Sequence, residues 1–400
     1  MVIVTIFKKY WENGCYKVIL PLFWIIARIL PRRLDIWVYG EGHTSAASPL
    51  LRYAKQKDTR KHIYITPYES QIKIMRDDGV LAFKPSSVIG CYYISRAKVH
   101  VITKTRLEDL NTYLSYNALI VNLWHCITSD LFENSTTNKP QWKIDRNKAR
   151  VKKKYERYYF LCSTSKFTQK LQAQYFGIDL LKLPVVGMPK LDMLYSQRES
   201  KANNTSLLSN EFDMVFAYMP SSRRQGELVW DHEIDFEKMN DFLVKNNSAL
   251  ILRPHYRDRS SFNLDKDYSN ILLTSSHYSQ EWTDVNDTLV GVDVLISDYS
   301  SLIYEFLITG KPILIYTPDY TSYSTESYCV LHQTIEDFDH KIPSNRNNNL
   351  DELLVSMESV INKSYSYKKY NETLEKYHFY QDGDSSRRVY EHITKRIDKI

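Results

Sequence analysis

A succession of short apolar runs, each breaking off at polar residues, constrains this chain more than any other feature. In the first half they are Leu34–Gly40 (LDIWVYG), Lys61–Thr66, Lys98–Thr103, Asn117–His125, Tyr158–Thr164 and Leu180–Gly187. In the second half they are Asp213–Pro220, Ser248–His255, Asn270–Ser275, Asp293–Ser297 and Lys311–Tyr316. Runs this short, without strict alternation, read as strands buried on both faces. Between them lie helical stretches such as LLRYAKQ (Leu50–Gln56), SKFTQKLQAQYFG (Ser165–Gly177) and FEKMNDFLVKN (Phe236–Asn246). Strands alternating with helices predict parallel sheets covered on both sides. The stretch Ser196–Asn210 is polar and without period, and reads as a linker. The expected fold is therefore α/β, with two Rossmann-like doubly wound domains facing a cleft. A first domain would span 34–195, a linker 196–210 and a second domain 211–375. A C-terminal helix at 376–400 would start near Asp384 or Ser385, after Gly383.

The 400 residues suffice for two ordinary cores, and 43% hydrophobic with 25% charged residues is average for a globular chain. A formal charge of +6 suits an anionic substrate or a lipid surface without indicating nucleic acid. The five cysteines are scattered, with no CxxC pair, which fits a reducing cytoplasm rather than a disulfide framework or a zinc site. Residues 1–33 form an N-terminal amphipathic segment. Its run Val18–Leu30 (VILPLFWIIARIL) is short for a membrane span and is followed by Pro-Arg-Arg rather than a small-residue cleavage site. With Trp11, Trp24 and flanking cations it reads either as an interfacial membrane helix or as a packing helix. The basic run Lys139–Arg157 reads as a solvated helical face or as a surface for anionic headgroups or a polyanionic product, with nucleic acid a weaker third reading.

In doubly wound sheets, ligands bind beyond the carboxyl ends of the strands. The polar groups there are His125 after Asn117–Trp124, Gly187 after Leu180–Val186, and Ser221 with Arg223 after Asp213–Pro220. Arg253 and His255 follow Ala249–Leu252, and Asp298, Ser300 and Ser301 follow Asp293–Ser297. Arginines, histidines and a serine pair on one rim suit a phosphate-rich ligand. Taken one at a time, each group has a plainer role. A serine can simply cap the helix that follows, His125 can be a core histidine, and Glu305 can serve the helix dipole or touch substrate hydroxyls. P-loop, GxGxxG, HExxH and GxSxG patterns are absent, against common kinases, dehydrogenases and hydrolases.

Several segments resemble, in order, the CDP-glycerol glycerophosphotransferase family of teichoic acid primases and polymerases. DTLVGVDVLISDYSSLIYEFLITGKPILIY (Asp287–Tyr316) resembles the family's Asp-Tyr-Ser-Ser strand, loop and helix. LWHCITSD (Leu123–Asp130) stands where the family has Trp-His-Gly-Thr-Pro. VVGMPKLDML, FAYMPSSRR, LILRPH and DGDSSRRVYEHI are similar to its Gly-Tyr-Pro-Arg-Asn-Asp, Ala-Pro-Thr-Trp-Arg, Arg-Pro-His and terminal-helix segments. The resemblance spans about Leu34 to Ile393 and implies the GT-B type of two-domain transferase. It implies transfer of glycerol phosphate or ribitol phosphate from CDP-glycerol or CDP-ribitol to a hydroxyl of a lipid-linked or glycan acceptor. CMP would be released, in cell-envelope or capsular polymer synthesis at the cytoplasmic face of the membrane. By position, His125 would be the general base or a phosphate-stabilising group, with His255 the second catalytic histidine. Arg253 and His255 would hold the diphosphate, Ser300 and Ser301 would cradle phosphoryl oxygens, and Asp298 would set that loop. Ser221, Arg223, Gly187 and Glu305 complete the expected substrate-binding set. No cofactor beyond the CDP-alditol donor is evident, and no metal ligand is expected. The chain departs from the family at Cys126, Ile127 and Thr128, and at Asp130 and Leu131 where lysines are usual. These changes fall on the acceptor side and leave the donor-phosphate motifs intact. The alternative reading is a nucleotide-sugar glycosyltransferase on the same architecture, which would release a nucleoside diphosphate instead.

Overall fold

The computed structural model describes residues 20–42, 46–127, 140–199, 211–223, 234–255, 264, 266–273, 285–321 and 335–399. Two parallel six-stranded sheets form the frame. The first contains β1 (Arg33–Gly40), β2 (Lys61–Ile65), β3 (Leu81–Phe83), β4 (Ala97–Ile102), β5 (Leu119–Asn122) and β6 (Phe160–Leu161), in the spatial order β3-β2-β1-β4-β5-β6. The second contains β7 (Met214–Tyr218), β8 (Ser248–Leu252), β9 (Ile271–Leu273), β10 (Val294–Ser297), β11 (Ile313–Tyr316) and β12 (Arg346–Asn347), in the order β12-β11-β10-β7-β8-β9. Both are doubly wound. The order reverses between β1 and β4 in the first sheet and between β7 and β10 in the second, and such switch points are where doubly wound sheets receive ligands.

Each gap is closed by one buried aspartate. Asp109 accepts hydrogen bonds from the backbone N–H groups of Gly42 (3.1 Å), Thr103 (2.9 Å) and Lys104 (2.6 Å), tying the ends of β1 and β4 together. Burial pushes its carboxyl up to about 6 against those donors. Asp298 does the same for β7 and β10, as described below. The chain's many tyrosines also find an account here. Tyr39, Tyr64, Tyr158, Tyr218, Tyr299, Tyr304, Tyr316, Tyr370 and Tyr377 are among the largest fully buried side chains, so much of the aromatic excess is core.

The two halves interlock. Leu191 and Leu194, on the helix Leu191–Glu199, pack with Ile303, Leu307 and Ile308 of the second half. In return, the C-terminal helix Ser385–Ile397 crosses back and buries Val389, Ile393 and Ile397 beside Trp37, Leu50 and Ala54 of the first. Three such apolar side chains stabilise the return by about 1.5–3 kcal/mol each. Asp192 anchors this helix, its two carboxylate oxygens accepting from Ser385 N (2.9 Å) and Ser386 N (2.8 Å). Gly187 has φ +80°, and a Cβ there would stand 3.0 Å from Ser385 Cβ. Only glycine lets the segment pass so close to the helix start.

Several expectations need correction. Leu180–Gly187 is not a strand. Asp179 caps a 3-10 turn at Leu180–Lys182, Pro184 has no N–H to donate, and only Val185 bridges to Ser163. The expected strand Asn117–His125 is confined to Leu119–Asn122, because Asn117 (φ 55°) and Trp124 (φ 62°) are left-handed. Tyr158–Thr164 contributes only Phe160–Leu161. Helix Leu191–Glu199 runs into the expected linker, whose remainder, 200–210, lies outside the described residues.

At the N-terminus, 20–29 is helical and buries Phe23 and Ala27, while Leu22, Trp24, Ile25, Ile29 and Leu30 stay exposed. Residues 1–19, including Trp11, lie outside the described residues. Among the described residues, no helix is long and apolar enough to cross a membrane.

Candidate active site

The site builds from the end of β5. Asn122 accepts from Trp124 N (2.8 Å) and donates to Lys104 O (3.1 Å), so one side chain joins the ends of β5 and β4. Trp124 sits in the left-handed region, which costs a non-glycine residue about 1 kcal/mol. Its ring packs edge-on against Phe176 at 5.1 Å and Tyr155 at 6.2 Å, which helps to hold that conformation.

The chain then turns through His125. Its ring lies 4.5 Å from that of Trp124, and its buried Nδ1 has no hydrogen-bond partner among the described residues. Burial, then the positive charges of Lys104 and Lys190, depress the imidazolium to about 3. His125 is therefore neutral at physiological pH, with a nitrogen able to accept a proton. The next residue reaches the second half of the chain. The Cys126 thiol lies near the Ser301 hydroxyl, and burial pushes it up to about 11, so it stays protonated and is no nucleophile at neutral pH.

Ser301 belongs to the loop after β10. Asp298, fully buried, accepts from Tyr299 N (2.6 Å) and from Ser221 N (2.9 and 3.0 Å), the latter on the far side of the β7–β10 gap. Arg223 Nη2 donates to the same carboxylate at 2.7 Å, while its Nε donates to Asp319 Oδ2 at 2.7 Å. Burial opposes the guanidinium charge, but Asp298 and Asp319 override it and raise its pKa. Ser300 Oγ accepts from Leu302 N (3.2 Å), whereas the Ser301 side chain makes no capping bond to the helix Leu302–Phe306. The cap reading thus applies to Ser300 alone.

The sequence pattern of the family described as CDP-Glycerol:Poly(glycerophosphate) glycerophosphotransferase matches residues 38–395. The chain belongs to this family. A teichoic acid ribitol-phosphate polymerase, TarK, of Staphylococcus aureus is 27% identical over 233 residues, 56% of this chain and 43% of that protein. A teichoic acid poly(glycerol phosphate) polymerase of Bacillus spizizenii is 24% identical over 390 residues, covering 92% of this chain and 94% of the relative. The chain spans less than half the length of the first curated relatives it matches. Among solved structures, a variant of the wall teichoic acid polymerase TagF soaked with CDPG superposes with a TM-score of 0.77 at 16% identity. That likeness covers 99% of this chain and 98% of the other, and it shows a shared fold.

For this glycerophosphotransferase-family chain, the structure ties His125 through Lys190 to Glu305, on the helix after the serine loop, and Asp298 to Ser221 and Arg223. Arg253 is buried at the end of β8. Its Nη1 donates to Thr288 Oγ1 (2.9 Å), and its backbone N–H bonds to Tyr218 O (3.0 Å). His255 is partly exposed two residues on. Three residues expected to touch substrate have other engagements. Arg223 is held by two carboxylates, Gly187 makes room for Ser385, and Glu305 is paired with Lys190 at 2.6 Å.

Sequence reasoning missed Lys190, Asp319, Asn122 and Asp192. Asp319 was findable, since it follows β11 as the other rim residues follow their strands. Asn122 is the last residue of β5 and carries no such signal. Among the described residues, no cluster of three or more His, Cys, Asp or Glu side chains is placed to hold a metal ion.

Proposed function

We propose that the chain transfers glycerol phosphate or ribitol phosphate from a CDP-alditol to a hydroxyl of a membrane-associated glycan or glycolipid. The acceptor oxygen attacks the alditol-side phosphorus, the bond from that phosphorus to the CMP oxygen breaks, and CMP leaves. The acceptor proton passes to His125. One observation carries the reading: a neutral histidine after β5 is tied, through Lys190, to Glu305 on the helix that follows the serine loop after β10. Phosphoryl transfer asks for positioning and charge neutralisation more than for covalent chemistry. Family membership and the polymerase relatives support the same chemistry. Arg253, His255, Ser300 and Ser301 are assigned to the donor diphosphate. The first domain carries the acceptor side and the second the CDP-alditol.

The test is the nucleotide released. Incubation with CDP-glycerol and with CDP-ribitol, each with a lipid-linked glycan acceptor, is expected to yield CMP from at least one donor. Turnover of sugar nucleotides with release of a nucleoside diphosphate, and none of either CDP-alditol, would replace this reading by a glycosyltransferase.

We also propose peripheral docking at the cytoplasmic membrane surface through the helix 20–29. Leu22, Trp24, Ile25, Ile29 and Leu30 are exposed along it, and Arg28 sits 3.6 Å over the Trp24 ring. Leu20 and Ile26 pack into the same core as Val151 and Tyr155 of the basic helix Gln141–Tyr155, so apolar and cationic elements flank one core. Flotation with phosphatidylglycerol vesicles is expected to carry the protein upward, and Leu22→Asp/Ile29→Asp to reduce the bound fraction severalfold. Unchanged flotation of that variant would remove the helix from the interface.

A further inference from the structure

Lys190 ends the Gly-Met-Pro-Lys stretch, at the seam between the two halves. Its Nζ donates to the backbone carbonyl of His125 (2.7 Å) and to Glu305 Oε2 (2.6 Å). Both charged side chains are enclosed, 5% and 3% exposed. Glu305 lies on the helix Leu302–Phe306, directly after the serine loop. A single ammonium therefore bonds the histidine of one half and the helix that follows the serine loop of the other.

We infer that Lys190, fixed by Glu305, is a positioning residue that sets His125 against the Ser300–Ser301 loop when the two halves are joined. The inference rests on His125 being the base. A buried ion pair is poor value as a stabiliser, because desolvating both charges offsets most of their attraction and an apolar pair of similar volume often does better. What the pair supplies is geometry. The strand has ended at Asn122 and Trp124 is left-handed, so no ladder bond fixes the His125 carbonyl, and the Lys190 bond takes that place. The charged groups around the ring are Lys104 from the end of β4 and Lys190, with Glu305 beyond Lys190. Lys190 thus also favours the neutral ring that a base requires.

Three variants and their combinations test this, with CMP release from the accepted CDP-alditol and thermal unfolding as readouts. Lys190→Met is expected to lower kcat by about ten- to hundredfold with the donor KM within about twofold, the size of loss a misplaced catalytic group gives. It will also lower Tm, since it leaves Glu305 buried without its cation. Lys190→Met/Glu305→Gln removes both charges and is expected to recover Tm but not kcat, because the bond to His125 is still missing. In a His125→Ala background, Lys190→Met is expected to cause no further loss of kcat. Recovery of kcat together with Tm in the double variant would overturn the inference and leave a merely structural pair. An additive loss in the His125→Ala background would overturn it too. If His125→Ala alone kept full turnover, the reading of His125 itself would fail, and that result is distinct from either of the others.

Discussion

Replacing His125 by alanine is expected to lower kcat by about two to four orders of magnitude, the contribution of a positioned general base. The donor KM should change little, because the groups assigned to the diphosphate lie on the other half of the chain. The pH dependence separates this base from an ordinary histidine. Burial and two lysines hold the imidazolium at about 3, against 6.5 for a free side chain. In the free enzyme His125 therefore stays neutral down to mildly acidic pH, and kcat/KM should show no His125-derived acid limb between pH 5 and 7. A limb near 6.5 that disappears in His125→Ala would show a solvated ring and contradict this geometry. Stability moves differently. His378, fully enclosed and bonded to Tyr304 O at 2.6 Å, has its imidazolium depressed by burial to about 4. Below pH 6.5 the unfolded chain binds protons that the folded chain refuses. Stability contributed by the neutral ring is thus present above 6.5 and is lost as pH falls toward 4, at about 1.4 kcal/mol per pH unit for such a group.

The second large effect belongs to Asp298. Asp298→Ala removes the acceptor of Ser221 N, Tyr299 N and one Arg223 bond in a fully buried site. Arg223 keeps Asp319 but loses half of its compensating charge. Unfolding free energy is expected to fall by about 3 kcal/mol, in the range for breaking a buried charge pair. Asp298→Asn retains an acceptor oxygen and should lose less. The functional consequence is sharper than the stability loss. The same carboxylate joins the ends of β7 and β10, and the serine pair follows it directly. Donor affinity should fall at least tenfold in Asp298→Ala at temperatures where the variant is still folded, measured by titration with CDP-glycerol. Normal donor affinity in a folded Asp298→Ala protein would separate the aspartate from the donor site.

Much of this arrangement was legible in the sequence, because strands buried on both faces are near-continuous apolar runs. Runs such as Leu34–Gly40 and Lys311–Tyr316 mark themselves, and the strand-end rule then points to the polar residues that follow. The rule failed where pairing rather than composition makes the strand. Leu81–Phe83 is three residues long, and Arg346–Asn347 is polar and exists as a strand through its bonds to β11. It overreached at Leu180–Gly187, where an apolar run is interrupted by Pro184 and opened by a capped turn. Within the site, local sequence identified which residues stand on the rim but not whom they face. Arg223 is legible as a strand-end cation, but its pairing with Asp319, almost a hundred positions later, is not. Glu305 reads as a helix-dipole carboxylate until Lys190 arrives from the other half. Such pairings are tertiary facts with no local signature. The Asp192 anchor of Ser385 and Ser386 is the clearest instance, since two segments nearly two hundred residues apart form one clasp.

The nucleotide product decides the central claim. Purified protein given CDP-glycerol or CDP-ribitol with a lipid-linked glycan acceptor should release CMP in step with acceptor extension, and His125→Ala should release almost none. Absence of CMP from both donors, under conditions where the protein is folded and binds the donor, would contradict the account.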